Sequence, residues 1–593
     1  MKASDYIAEF LVNLGVKHIF GITGGAIVHT FDSIGKRKDI EYICTQHEQA
    51  AAMAADGYSR ITKNIGVTVT TSGPGATNLL TGTCCSYYDS IPILNITGQV
   101  ATNRLRGDKG VRQIGFQETP ISKIYKPVTK YSVLVDNPKM LRYELEKAAH
   151  IAKSGRPGPV LVDIPDDIQR ADINPDRLPS YIPEKISVDY AKIKEQAMQC
   201  VELINNSERP IIVLGAGVKL SGCEEEAMKF VRNLKIPVAL TWATRDLFLE
   251  DNELNAGGFG ITSQRYGNFA IQNSDLVLAL GTRMDTHHTG TPLNMFAREA
   301  KKVILDIDNT ELEKFRGSEL KWDVSINADV KDFFMALQDV RNVKEKNLSG
   351  WLDRIKEWKD KYPPYKESAK TDYVDSYAFL EVLSKESLEG DIIITDAGGN
   401  LAQTMGGYRF RKKQTLFSAF NHSPMGNSLP ESIGACFAND KRPVVCIIGD
   451  GGIQMNIQEL ATIKYHNLPI KIFVFNNKGY GMIQQTQDDW LNSRYEASDM
   501  ENGIPVPDFV KIGNAYGLKT ERIKNNKQLA SKLKNALRYD GPVLCDVNIS
   551  PDQRTVPMLK VGRPIEDAKP LLSREEFLEN MIVKPAEQSL KGE

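Results

Sequence analysis

From Val444 to Met482 the chain reads VVCIIGDGGIQMNIQELATIKYHNLPIKIFVFNNKGYGM. Two polar side chains in this stretch, Asp450 and Asn477, each follow a short apolar run. A carboxylate and an amide oxygen suit a hard cation such as Mg²⁺, which takes oxygen ligands in an octahedron. Two side chains leave that octahedron unfilled. The backbone carbonyl of Gly479, a water and phosphate oxygens would complete it. The N–H groups of Gly449, Gly451 and Gly452 beside a helix start would cradle a diphosphate. The plainer reading makes GDGG a tight turn and NN the end of a strand.

For this chemistry the two groups must meet. Val444–Ile448 and Ile470–Phe475 read as buried strands, with a helix between them facing a core through Ile457, Leu460, Ala461 and Ile463. A strand–helix–strand crossover makes the strands parallel, so Asp450 and Asn477 fall at one carboxyl edge. If the strands are neighbours, the two ends lie about 5 Å apart in the pairing direction.

The same alternation fills the chain. Further buried runs are Gly66–Thr70, Ile93–Thr97, Val160–Asp163, Ile211–Leu214, Leu276–Leu280, Val303–Ile307, Ile392–Thr395 and Val543–Val547. Many end in Gly, Asp or Asn, where ligands collect in open parallel sheets. The expected fold is α/β, with three doubly wound parallel-sheet domains and a tail. Linkers are expected at Asn174–Tyr190, which holds three prolines, and at 345–375. The expected division is 1–180, 190–345, 370–555 and 556–593.

At 593 residues, 41% apolar and 25% charged, the chain has the composition of a soluble globular protein with several cores. A formal charge of −1 gives no electrostatic reason to expect nucleic acid or an anionic membrane as partner. No apolar run reaches membrane-spanning length. The first residues form an amphipathic pattern (Tyr6, Ile7, Phe10, Leu11, Leu14) rather than a signal peptide. The eight cysteines form no CxxC pair, which fits a reducing, cytoplasmic setting.

GDG and NN, with 24 residues between them, resemble the thiamine-diphosphate motif. The resemblance narrows to the acetolactate synthase group through QHEQ, TSGPGATN, DSIPILNITGQV, GFQE, RPGPVLVDIP, NSDLVLALGTRMD, ILDID, PMGNSLP and MNIQELATIKYHNLP, and covers most of residues 1–550. It implies thiamine diphosphate and Mg²⁺ as cofactors, with Asp450, Asn477 and Gly479 on the metal. Gly25, Asn400, Ser423, Met425, Gly449, Gly451, Gly452, Tyr480, Gly481 and Met482 would line the cofactor. Met425 matches the family methionine that holds the cofactor bent; a Met filling a core gap is the alternative. Glu48 would share a proton with the pyrimidine N1′, a general acid–base role exercised through the cofactor. Gln117 and Lys130 match catalytic-pocket residues, and Phe116 lines the acceptor side. The resemblance also implies a homo-oligomer with active sites between subunits.

The chemistry so implied removes CO₂ from a 2-oxo acid such as pyruvate and passes the two-carbon unit to a carbonyl acceptor. Release of an aldehyde is the alternative outcome. A non-catalytic homologue is disfavoured by the presence of Glu48, Asp450 and Asn477, and a flavin oxidase is a minor option. The chain departs from the synthases at three places. His287 stands where they have a second arginine, Thr486 where they have a tryptophan, and Gly398-Gly399-Asn400 replaces GQH. Losing the ring and the bidentate cation suggests a bulkier acceptor, for example a keto sugar nucleotide. Gly215, Gly217, Gly258, Arg283, Asp306 and Asp308 sit where relatives hold FAD; its presence and its absence are equally expected. The tail from Thr555 either wraps over the active site or an interface, or extends flexibly.

Overall fold

The computed structural model describes residues 1–184, 187–338, 340, 344–364 and 372–591. Parts of both expected linkers (185–186 and 365–371) lie outside the described residues. The chain forms three six-stranded sheets, every pairing of which is parallel.

The first sheet holds β1 (His18–Ile22), β2 (Glu41–Cys44), β3 (Gly66–Thr70), β4 (Ile93–Gln99), β5 (Tyr131–Leu134) and β6 (Val160–Pro165), in the order β2-β1-β3-β4-β6-β5. The second holds β7 (Pro210–Leu214), β8 (Val238–Leu240), β9 (Asn255–Gly258), β10 (Leu276–Leu280), β11 (Lys301–Asp306) and β12 (Val324–Asn327), in the order β12-β11-β10-β7-β8-β9. The third holds β13 (Ile392–Thr395), β14 (Thr415–Phe417), β15 (Val444–Gly449), β16 (Ile470–Asn476), β17 (Lys519–Ile523) and β18 (Val543–Asn548), in the order β14-β13-β15-β16-β18-β17. In each sheet the strand order changes direction at an interior switch point: between β1 and β3, β7 and β10, and β13 and β15. Ligand crevices form at such switch points, outside the carboxyl ends.

The first and third sheets share one apolar core, which joins Phe20, Ile43 and Ala54 to Leu429, Ile433 and Ile472. Its centre is the crossing of two helices, Glu48–Thr62 and Ser428–Ala438. The first is alanine-rich, which lets the backbones approach. A Cβ on Gly434 would fall 1.8 Å from the Ala54 carbonyl oxygen, so only glycine fits there.

One expectation needs correcting. The 345–375 linker contains the helix Ser349–Lys361, whose Trp351, Ile355 and Trp358 are buried at helical spacing. Of the two alternatives left open for the tail, the flexible extension is excluded, because the tail is packed. Leu559, Ile565 and Phe577 enter the core of the central unit, and Asn268 Nδ2 donates to the Ile565 carbonyl at 2.8 Å. On its way there the tail passes the helix Gly481–Leu491, where Gln485 bonds both the N–H and the carbonyl of Thr555.

Candidate active site

β15 and β16 are adjacent, with Gly449 opposite Phe475. Asp450 opens the helix Asp450–Met455 and is almost fully buried. Its Oδ1 accepts from Gly451 N at 2.7 Å, and its Oδ2 accepts from Lys478 N at 2.7 Å and Gly479 N at 3.2 Å. The carboxylate therefore spans the two strand ends. Burial pushes its pKa up to about 6 against the pull of these N–H groups. Asn477 is half-buried beside Gly481, where its Nδ2 lies 2.9 Å from the position a Cβ would take.

The GDGG glycines are required by close approach. A Cβ on Gly451 would strike the Tyr480 ring at 2.3 Å and Met425 Cε at 2.9 Å. A Cβ on Gly452 would meet Asp396 Oδ2 at 2.2 Å. Met425 and Tyr480 thus converge on the Gly451 turn. Asn400 joins from the other side: its Oδ1 is 3.1 Å from a Cβ position on Gly449, and its Nδ2 donates to the Asp396 carbonyl at 2.7 Å. Ser423 precedes Met425 in a left-handed conformation, φ 50°. Met482 sits in the first turn of the Gly481–Leu491 helix.

Sequence reasoning passed over Asp396, the residue after β13. Its carboxylate accepts from Gly426 N at 2.9 Å and Ser428 N at 3.0 Å, and so fixes the turn that carries Met425. Burial raises its pKa to about 6. The signal was present, because IIITD is another buried run that ends in Asp at a carboxyl edge.

On the first sheet, Glu48 begins its helix and His47 caps it, accepting from Gln49 N at 3.1 Å. Glu48 Oε2 accepts from Asn78 Nδ2 at 2.9 Å, a partner the sequence reading also missed. The Glu48 Oε1 atom is 3.6 Å from a Cβ position on Gly75, and Gln117 lies against Gly73. Gly25 is at the neighbouring end of β1, exposed and with nothing within 4 Å of an added Cβ. Glu48, Asn78, the Gly73–Gly75 turn and Gln117 are thereby brought together at one edge. Phe116 beside them is 86% exposed.

Lys130 does not join them. It precedes β5, at the amino edge of the parallel sheet, and its Nζ donates to the carbonyls of Ile151 (2.5 Å) and Ser154 (2.6 Å). It closes the carboxyl end of the helix Leu141–Lys153, a structural use of a lysine. Burial lowers its pKa to about 8. His287 is also withdrawn. Its ring centroid is 3.9 Å from that of Trp242, its Nε2 is 3.1 Å from Thr262 Oγ1, and burial depresses its pKa to about 3, so the ring is neutral. Thr486 Oγ1 donates back to the Met482 carbonyl at 3.1 Å, which leaves a short side chain on the Gly481–Leu491 helix.

The central crevice holds the dinucleotide candidates. Gly215 and Gly217 face the protein: their N–H groups donate to the carbonyls of Leu280 (3.0 Å) and Gly281 (2.8 Å). Gly258 N donates to Gln264 Oε1 at 2.8 Å. Arg283 pairs with Asp285 at 3.1 Å, Asp308 with Arg156 at 3.0 Å, and Asp306 accepts from Asp308 N at 2.9 Å. Buried Trp242 Nε1 and His288 Nε2 have no hydrogen-bond partner. Much of the set that would grip FAD is therefore already bonded within the chain, while beside Gly258 the three guanidinium nitrogens of buried Arg245 have, like those two atoms, no hydrogen-bond partner among the described residues.

Among the described residues no three His, Cys, Asp or Glu side chains gather as a metal site. A cation at Asp450 would thus rely on amide and backbone oxygens, which suits a hard ion. Among those residues no helix is long and apolar enough to cross a membrane.

Comparison with known proteins agrees with this geometry. Three family models match: the thiamine pyrophosphate enzyme N-terminal TPP binding domain over 1–123, the central domain over 197–337 and the C-terminal TPP binding domain over 396–547. The chain is 35% identical over 570 residues to the acetolactate synthase large subunit of Cyanidium caldarium, covering 94% of each. It is 35% identical over 577 residues to a probable acetolactate synthase large subunit of Methanocaldococcus jannaschii, covering 95% of this chain and 94% of that one. Acetolactate synthase 2, chloroplastic, of Nicotiana tabacum is 34% identical over 579 residues, covering 95% and 85%.

Proposed function

The chain belongs to the thiamine pyrophosphate enzyme family and is an acetolactate-synthase-like enzyme, and from that premise we propose that it decarboxylates a 2-oxo acid, pyruvate being the expected donor, and transfers the two-carbon unit to a carbonyl acceptor. One observation carries the reading: the Asp450 carboxylate bridges the ends of β15 and β16 beside the switch point of the third sheet.

Thiamine diphosphate supplies the carbon nucleophile when bound. Asp450, Asn477 and the Gly479 carbonyl would hold Mg²⁺ against the diphosphate. Gly449, Gly451, Gly452, Asn400 and Ser423 would receive the phosphates, and Met425, Tyr480, Gly481 and Met482 would support the rings. Glu48, held by Asn78, would exchange a proton with the pyrimidine N1′. Gly25 and Gln117 border that site. We assign the three sheets to domains 1–180, 190–345 and 370–555, and place each active site between subunits of a homo-oligomer. The eight cysteines are unpaired, which supports a reducing, cytoplasmic setting.

Transfer of an acyl unit between carbonyls is redox-neutral, so no step is assigned to a flavin. The acceptor side favours a bulky carbonyl compound such as a keto sugar nucleotide. Thr486 is short, and His287, neutral and buried, offers no cation to clamp a second carboxylate. Mass-spectrometric analysis of products from pyruvate, alone and with a panel of carbonyl acceptors, tests this. Adducts with the larger carbonyls are expected. Acetolactate alone at a high rate would reject the bulky acceptor, and free acetaldehyde under every condition would make the enzyme a decarboxylase.

A further inference from the structure

Glu459 opens the helix Glu459–Tyr465 in the third unit and is fully buried. Its Oε1 reaches across to the first unit and accepts from the backbone N–H of Gln46 at 2.9 Å and of His47 at 3.1 Å. Its Oε2 accepts from Thr462 Oγ1 at 2.8 Å. Gln46 and His47 are the two residues immediately before Glu48. The same loop is tied on its other side by Thr45, whose Oγ1 donates to the His47 carbonyl at 2.9 Å.

We propose that Glu459 is a positioning residue for the proposed general acid–base Glu48: by holding the Gln46 and His47 N–H groups it sets the entry angle of the Glu48 helix, and with it the reach of the Glu48 carboxyl toward the cofactor. The inference rests on the role given to Glu48 above. The physical case is one of over-determination. A loop entering a helix is free to rotate about its last extended residues, and His47 is still extended, φ −146° and ψ 143°. Hydrogen bonds from two consecutive N–H groups to one buried side-chain oxygen remove that freedom. Burying a carboxylate is costly, and burial pushes the Glu459 pKa up to about 7. That cost is offset only while all three donors remain in place. Asn456 adds a second strap along the same path, its Nδ2 donating to the Gly426 carbonyl at 2.9 Å and lying 3.6 Å from Met53 Sδ, one turn into the Glu48 helix.

The test uses the full-length enzyme loaded with thiamine diphosphate and Mg²⁺, and reads the rate at which the cofactor C2 proton exchanges with deuterium. E459A and E459D (the latter too short to reach both N–H groups) should slow exchange by about tenfold or more, as lost alignment of a general acid–base group does. E459Q keeps an oxygen for both N–H groups, and Thr462 can turn to accept from its amide. It should stay within about threefold of wild type, the conservative rescue expected of a neutral-acceptor role. Cofactor affinity, measured in parallel by calorimetry, should be unchanged in all three. If E459A does not fold, the E459D and E459Q pair decides. Wild-type exchange in E459A and E459D, slow exchange in E459Q, or exchange that falls in step with cofactor affinity would each overturn the proposal. E48Q serves as the reference. If E48Q exchanges at the wild-type rate, the reading of Glu48 itself falls; if E48Q is slow while E459D is not, Glu459 alone loses its role.

Discussion

Asn78 Nδ2 lies 2.9 Å from Glu48 Oε2, so the carboxyl group has a fixed donor on one oxygen while the other faces the Gly75 turn. This divides the group into an anchored and a working oxygen. E48Q should retain the cofactor yet slow C2 deprotonation by about 10²–10⁴, the usual size of a general acid–base effect. N78A removes one hydrogen bond to a charged acceptor, about 1.5–3 kcal/mol, and should slow the same step by roughly ten- to a hundredfold. Deuterium exchange at C2 measures both, and wild-type rates in E48Q would reject the assignment.

D450A removes the carboxylate that joins the ends of β15 and β16. Mg²⁺-dependent binding of thiamine diphosphate should be lost. Wild type treated with a chelator should behave in the same way, because an anchored cation is what neutralises the diphosphate. Titration calorimetry with and without Mg²⁺ checks this, and unchanged affinity of D450A would contradict the metal role.

The legibility of this chain follows burial. Ten of the strands were readable as apolar runs because they are buried on both faces, as in β16, where every residue is buried. The six edge strands were not readable. KTERI of β17, exposed or half-buried until its last residue, carries no such pattern. Two interior strands also escaped: β1, whose HIFGI carries a histidine and a glycine, and β8, because Val238–Leu240 is only three residues long. At the site, Asp450, Asn477 and Glu48 were legible from residue type and spacing. Lys130 misled because a lysine that closes a helix end has no local signature distinct from one that faces substrate. Asp396 and Glu459 went unseen because their partners are backbone N–H groups tens to hundreds of residues away, a property of packing.

T486W should place bulk at a half-buried position of the Gly481–Leu491 helix, one residue after Gln485, which bonds the tail at Thr555. A ring there fills space that a threonine leaves open. Turnover with large carbonyl acceptors should fall by about tenfold or more, the loss expected when a pocket no longer admits its substrate, while turnover with small acceptors changes less. Competition between a large and a small acceptor in one vessel reads the ratio directly. An unchanged ratio would remove Thr486 from the acceptor pocket.

F577A tests the tail. Phe577 is fully buried, and its ring centroid stands 6.5 Å from that of Phe269 in the central unit. Around it Asn273 Nδ2 donates to the Asn580 carbonyl at 3.0 Å, and Asn273 Oδ1 accepts from Ile582 N at 2.7 Å. A tail held in this way is part of the central core, so truncating the ring leaves a cavity and should cost about 3–5 kcal/mol. Thermal denaturation of the full-length variant should show a clearly lower midpoint. The effect should reach catalysis only through the tail's crossing at Gln485 and Thr555, so a variant that is destabilised but still folded should bind thiamine diphosphate normally. A midpoint equal to that of wild type would mean that residues 556–591 sit on the surface without being part of the core.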